Sequence, residues 1–238
     1  MNSIIISPHC DDALLSLGGL LINKVLVPEV VVNVFTKTNW TISGNGEVDK
    51  ITDLRIKEDL QSFASLEIST KYLGFMDASL RKGCENKSSK YMEITHEPMI
   101  DPICGKLFDV IKNLIKKYKN VENWFFPLGV GGHIDHCILR DIAIKSELTN
   151  LKYVYFYEDV GYDDTESDEK IQTIIKTLPL HLTPKTYKYQ NIDKKLNILE
   201  NYASQINKSL LAQVRRTYKK RGGERIWGKP GNVINFLQ

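Results

Sequence analysis

Short β-branched or aromatic runs alternate with segments of helical period from Ile4 to Tyr157, and this alternation constrains the fold more than any other feature. Ile4-Ile5-Ile6, bounded by Ser7-Pro8, is apolar at consecutive positions, as suits a strand covered on both faces. Residues 30–35, 124–126 and 153–157 also read as strands, and 71–75 is a short strand candidate. Between them, residues 14–26, 51–66, 103–118 and 134–148 predict helices, the third with apolar residues at 103, 107, 108, 111, 114, 115 and 118. The second is expected to keep Asp53, Arg55, Lys57, Glu58 and Asp59 on its wet faces. Beyond Glu158 the pattern is less regular, with helices expected over 167–178 and 193–213 and a strand over 182–189 between them. Strand and helix in alternation predict an α/β fold with a mainly parallel sheet. One domain over 1–238 is expected, with a core over 1–160 and a C-terminal elaboration over 161–238.

A 238-residue chain that is 42% hydrophobic can bury enough surface to offset chain entropy, which excludes disorder as its main state. Such a domain removes roughly 70–75% of its unfolded surface from water. It needs neither disulfides nor a structural metal, so a metal would serve chemistry. Cys10, Cys84, Cys104 and Cys137 lack C-x-x-C spacing and read as reduced thiols. No run approaches ~18 apolar residues, and the N-terminus lacks the features of a signal peptide, so no membrane span and a cytoplasmic location are expected. A net charge of +3 is too small to indicate nucleic acid.

Ligands of α/β folds sit beyond the carboxyl ends of the strands, which selects the loops after Ile6, Phe35, Phe75 and Phe126. The loop after Phe35, residues 36–50, is polar and long enough for a functional role. The first and last of the four hold Pro8-His9-Cys10-Asp11-Asp12 and Gly131-Gly132-His133-Ile134-Asp135-His136, with three of the five histidines. Brought to one end of a sheet, His9, Asp11, Asp12, His133 and His136 offer the imidazoles and carboxylates of a catalytic zinc site, which takes three protein ligands and one open position. If Asp12 binds metal, Asp11 points elsewhere and can take a proton from an activated water. His133, one helical turn from His136, could in its protonated form stabilise an oxyanion. Either loop alone is more often bland, because an Asp-Asp pair commonly caps a helix. Their joint occurrence after two predicted strands favours the site.

The segments Ser7-Pro8-His9-Cys10-Asp11-Asp12, Leu15-Ser16-Leu17-Gly18-Gly19 and 127–136 resemble the PIG-L/LmbE-like zinc deacetylases over residues 1 to 160. That family carries an N-terminal His-x-Asp-Asp and a later His-x-x-His. The resemblance implies a Rossmann-like three-layer sandwich, with His9, Asp12 and His136 as ligands of zinc or another divalent cation. It implies Asp11 as general base and His133 as the group that polarises the carbonyl or holds the oxyanion. The implied reaction removes an acetyl group from a small-molecule N-acetylated amino sugar or glycoside. Cys10 and Ala13 stand where many members have Pro and Glu, which leaves the subgroup and its substrate open.

Arg55 resembles a family arginine near the substrate mouth, against an exposed ion pair with Glu58. Asp77 either hydrogen-bonds sugar hydroxyls or forms a turn. Glu158 and Asp159 line the pocket or start a turn, with the turn slightly favoured, while Cys10 and Cys137 read as buried structural thiols. His96 and His181 read as surface residues, and the basic run 215–221 reads as a solvated helix end in preference to a contact for a phosphate or an acidic carrier. Two rivals share the fold. A nucleotide-dependent transferase would want a glycine-rich phosphate loop after the first strand, where two carboxylates stand instead. A non-catalytic binding module would be expected to have lost ligand positions, and all are filled.

Overall fold

The computed structural model describes residues 2–81, 101–145, 151–161 and 168–232. Five strands, β1 (Ser3–Ser7), β2 (Val30–Asn33), β5 (Thr70–Tyr72), β6 (Asn123–Pro127) and β7 (Tyr153–Tyr157), run parallel in one sheet. Two more, β8 (Thr183–Tyr187) and β9 (Glu224–Gly228), extend it antiparallel beyond β7. The strand order is β5-β2-β1-β6-β7-β9-β8. A separate hairpin, β3 (Trp40–Thr41) with β4 (Gly44–Asn45), folds within the 36–50 loop.

The consecutive apolar runs are explained by two cores, one on each face of the sheet. Ile4, Ile6, Val30, Val32, Trp124, Phe126 and Phe156 point to one. Ile5, Val31, Phe125, Tyr155 and Tyr157 point to the other. Helices α3 (Ile103–Lys117), α4 (Ile134–Ile144) and α5 (Asp168–Thr177) cover the first face. The second is covered by α1 (Asp12–Ile22), α2 (Val48–Ala64), α6 (Ile192–Leu199) and α7 (Lys208–Arg221). These are the three layers expected. Among the described residues no helix is long and apolar enough to cross a membrane. The outer strand β8 is exposed and carries Pro184 and Lys185, residues that discourage pairing with another sheet edge.

Four expectations differ from the structure. The segment expected as one helix over 193–213 is two, α6 and α7. Between them Tyr202 and Ser204 turn inward to α2, and Asn207 caps α7 by accepting from the Leu210 amide at 2.9 Å. Strand β9 was not anticipated. It follows Gly222, whose φ of 73° ends α7 in the left-handed region. The first helix ends at Ile22 rather than at residue 26, with Lys24 at φ 53° turning the chain. Finally, Arg55, Glu58 and Asp59 of α2 are buried rather than wet. Asp59 accepts from Asn33 Nδ2, Tyr72 OH and Tyr202 OH at 2.8, 2.7 and 2.8 Å, and Glu58 accepts from the Ser204 amide at 2.8 Å. Polar residues can face inward where each finds a buried partner. His96, Cys84 and most of the irregular stretch 77–102 lie outside the described residues.

Candidate metal centre

The turn after β1 is set by Ser7, whose hydroxyl donates to the His9 carbonyl at 2.7 Å and accepts from the Ala13 amide at 3.1 Å. It starts α1 immediately, so Asp12 lies in the first helical turn and accepts from the His9 amide at 2.9 Å. Asp11 occupies the N-cap position without a side-chain cap hydrogen bond, which leaves its carboxylate for other partners. After β6, glycines 129, 131 and 132 take φ between 75° and 86°, where a Cβ is strained. His133 then caps α4, its Nδ1 accepting from the Asp135 amide at 3.3 Å.

These two turns place His9 and His136 on either side of one carboxylate oxygen. Asp12 Oδ2 lies 2.9 Å from His9 Nδ1 and 3.2 Å from His136 Nε2. The outward nitrogens are held as well: His9 Nε2 lies 3.0 Å from Asp135 Oδ2, and His136 Nδ1 lies 2.6 Å from Asp159 Oδ1. One donor atom from each of His9, Asp12 and His136 falls within 4.8 Å of the others, and all three residues are buried. Imidazoles with one nitrogen turned inward and the other gripped by a carboxylate are the usual dress of metal-binding histidines. The donor set thus fits a divalent cation of the zinc type.

Charge in the site follows from the same contacts. Burial favours a neutral His9, but Asp12 and Asp135 outweigh it and raise its pKa to about 9. Burial likewise opposes protonation of His136, yet Asp12 and Asp159 raise it to about 10. Asp12 resists burial through both imidazoles and stays well below the usual carboxylate range. The carboxylates of Asp12, Asp135 and Asp159 around the two rings mark a place that favours positive charge.

His133 behaves oppositely. Burial drives its pKa down to about 3, despite the nearby Asp135. The ring is therefore neutral at ordinary pH, and because Nδ1 accepts, its proton sits on Nε2. Burial thus opposes the protonated form of His133 and favours a neutral N–H as the donor it offers. Its ring centroid lies 5.0 Å from that of His9 and 5.1 Å from that of His136.

Burial raises the Asp11 pKa, reinforced by Asp12 and opposed by Arg55 and His9. Arg55 Nη2 stands 3.7 Å from Asp11 Oδ1, its Nη1 4.0 Å from Asp77 Oδ2 and 3.5 Å from Thr38 Oγ1. Arg55 and Glu58 therefore do not form the surface pair considered from sequence. Asp77 does form a turn, accepting from the Ser79 amide at 2.9 Å, and also faces Arg55. Glu158 is buried against Arg221 Nη1 and Trp227 Nε1, each at 2.7 Å, and lines no part of this cluster. Cys137 is buried, which pushes its thiol up to about 11, and Cys10 is raised well above the ordinary thiol range by burial. Neither offers a thiolate.

Two supporting carboxylates went unassigned in the sequence. Asp135 sits inside the quoted motif, one residue before His136, and that adjacency was the available signal. Asp159 lies just beyond β7, at the rim of the sheet, and its Oδ2 accepts from the Gly129 and Val130 amides at 2.7 and 2.8 Å.

The PIG-L family model, described as GlcNAc-PI de-N-acetylase, matches residues 4–147. A curated relative, 2'-N-acetylparomamine deacetylase of Streptomyces fradiae, is 27% identical over 168 residues, 68% of this chain. The match spans only 57% of that relative's length. Among solved structures, a deacetylase of the teicoplanin biosynthesis pathway, in complex with bog, superposes with a TM-score of 0.76 at 20% identity, covering 98% of this chain and 100% of the other. The zinc-inhibited form of teicoplanin deacetylase gives 0.74 at 20% identity over the same shares.

Proposed function

The chain belongs to the PIG-L family, and from that premise we propose that it removes the acetyl group from the nitrogen of an amino sugar or glycoside with the help of a divalent cation, zinc foremost. The observation that carries this reading is the convergence of His9 Nδ1 and His136 Nε2 on the Asp12 carboxylate, with Asp11 alongside. The deacetylase relative and the zinc-inhibited teicoplanin deacetylase support the substrate class and the metal.

His9, Asp12 and His136 would hold the cation, which supplies Lewis acidity to an amide carbonyl and to water. Asp11 takes a proton from the attacking water as the new C–O bond forms. It returns that proton to nitrogen as the C–N bond breaks, leaving acetate and a free amine. Burial, which raises the Asp11 pKa, makes it a better base than an exposed carboxylate. The Nε2–H of His133 donates to the carbonyl oxygen while negative charge builds there. Arg55 and Asp77 offer a charged donor and an acceptor to sugar hydroxyls. The nucleotide-dependent alternative lacks support, because two carboxylates occupy the helix end that would face a phosphate.

The test is a panel of N-acetylated aminoglycosides, glycopeptides and simple N-acetylglucosamine glycosides, assayed for free amine and acetate with zinc-loaded protein. Acetate release that disappears in Asp11→Asn is expected. No release from any member, or equal release by the variant, overturns the reading.

A further inference from the structure

The two histidines of the candidate centre are supported differently. Asp159, behind His136, is fixed by main-chain amides of the β6–α4 turn. Asp135, behind His9, has one main-chain donor, the Ala78 amide at 3.0 Å, and owes the rest of its placement to a side chain from another loop. That side chain is Arg81. Its Nη1 lies 2.6 Å from Asp135 Oδ1 and 3.0 Å from the Met76 carbonyl, and its Nε donates to Asp101 Oδ2 at 3.0 Å. The guanidinium also stands 5.2 Å from the centroid of the Phe35 ring, which itself lies 6.2 Å from the His9 imidazole.

We propose that Arg81 is a positioning residue for the cation site: by fixing both Asp135 and the Phe35 face, it sets the ring orientation in which His9 keeps Nε2 outward and turns Nδ1 toward Asp12. The geometry is specific to a guanidinium. Only a planar fork can meet the Asp135 carboxylate, the Met76 carbonyl and the Asp101 carboxylate at once while lying near an aromatic ring. An ammonium gathers its three donors on a single nitrogen and cannot present them from two separated nitrogens, as Nη1 and Nε do here. Asp101 is itself anchored, accepting from the Ile103 amide at 3.0 Å at the start of α3, so the far end of the fork is held too. Arg81 touches no reacting atom in this scheme and acts through Asp135 and then His9. Carboxylates that grip ligand histidines typically change metal affinity by about 10- to 100-fold when removed, and Arg81 acts through one of them.

The inference rests on the deacetylase reading only in taking His9 as a cation ligand. It is tested by zinc affinity, measured by competition with a chromophoric chelator, for wild type, Arg81→Gln and Arg81→Lys. Urea unfolding of the metal-free forms serves as the folding control, and the visible spectrum of cobalt-substituted protein reports ligand number. Arg81→Gln should bind zinc at least about tenfold more weakly, with a cobalt spectrum shifted toward higher coordination. Arg81→Lys should recover part of the loss. Wild-type affinity in Arg81→Gln overturns the proposal. If that variant does not fold, Arg81→Lys decides: affinity several-fold below wild type supports the role, and wild-type affinity overturns it. A wild-type protein that binds no divalent cation overturns the deacetylase reading together with the role of Arg81, whereas normal wild-type binding with an unaffected variant removes Arg81 alone.

Discussion

The parallel half of the sheet and its antiparallel edge use polar residues for different ends. Every side chain around Asp12 lies at or just beyond the carboxyl end of a parallel strand: His9 after β1, Asp135 and His136 after β6, Asp159 after β7. Residues from α6 to β9 add none, yet they are rich in buried charge. Lys195 Nζ binds Glu224 Oε1 and the Leu15 carbonyl, both at 2.7 Å, and Glu224 reaches the Gly19 and Leu20 amides of α1 at 2.8 and 3.0 Å. Tyr202 and Ser204 hold Asp59 and Glu58 of α2. The helices gripped this way are those that carry Asp12 and Arg55. The residues of the candidate metal centre and the groups that keep their helices in register thus come from separate stretches of chain, and a substitution should reveal its region by what it damages.

The sharpest separation is expected at Asp11. Asp11→Asn should lower turnover by about a thousandfold, the scale of a lost general base, while metal content and thermal midpoint stay at wild-type values. A large fall in midpoint would break the division. The mirror case is Lys195→Met, which leaves Glu224 buried without its cation. It should cost about 3 kcal/mol in urea unfolding, with activity per folded molecule unchanged. Equal stability would deny the edge its supporting part.

Asp59 joins the two regions and gives a pH test. Burial raises its pKa to about 7, against hydrogen bonds from Tyr72, Tyr202 and Asn33 that lower it. The folded protein therefore keeps a proton that the unfolded chain loses near its ordinary value. The resulting stability is fully present at acid pH and is lost as pH rises through about 7. Asp59→Asn cannot titrate, so the stability of wild type relative to this variant should fall by about 2 kcal/mol between about pH 5 and pH 7.5. Parallel denaturation curves at both pH values would contradict that. The smallest effect is expected at Arg215, whose pairing with Asp193 is largely exposed. Arg215→Ala should change stability by less than about 0.5 kcal/mol and leave activity alone, and a larger change would give the basic run a role beyond a solvated helix end.

The parallel half was legible because its signals are local. A strand covered on both faces writes itself as consecutive apolar residues, and the strand ends then point to His9, Asp11, Asp12, His133 and His136 in two short motifs. Asp135 and Asp159 escaped assignment because a carboxylate behind a histidine is indistinguishable, in sequence, from a turn residue. The wet-face reading of α2 failed for a related reason. Helical periodicity assigns polar residues to solvent, and the partners that make burial of Glu58 and Asp59 tolerable, Ser204 and Tyr202, stand more than 140 positions later. The same contacts split the C-terminal helix in two. Strand β9 was hidden because the basic run before it dominates the local composition, although Ile226 and Trp227 are fully covered in the fold.

The Glu224 contact with the main chain of α1 has a consequence for biosynthesis. Helix α1 receives a clamp from a strand made about two hundred residues later. Closing so long a loop is entropically slow, so the nascent chain would carry an incompletely secured Asp11-Asp12 turn until β9 emerges. Chains cut short before β9 should therefore be captured by chaperones or degraded rather than accumulate as smaller folded proteins.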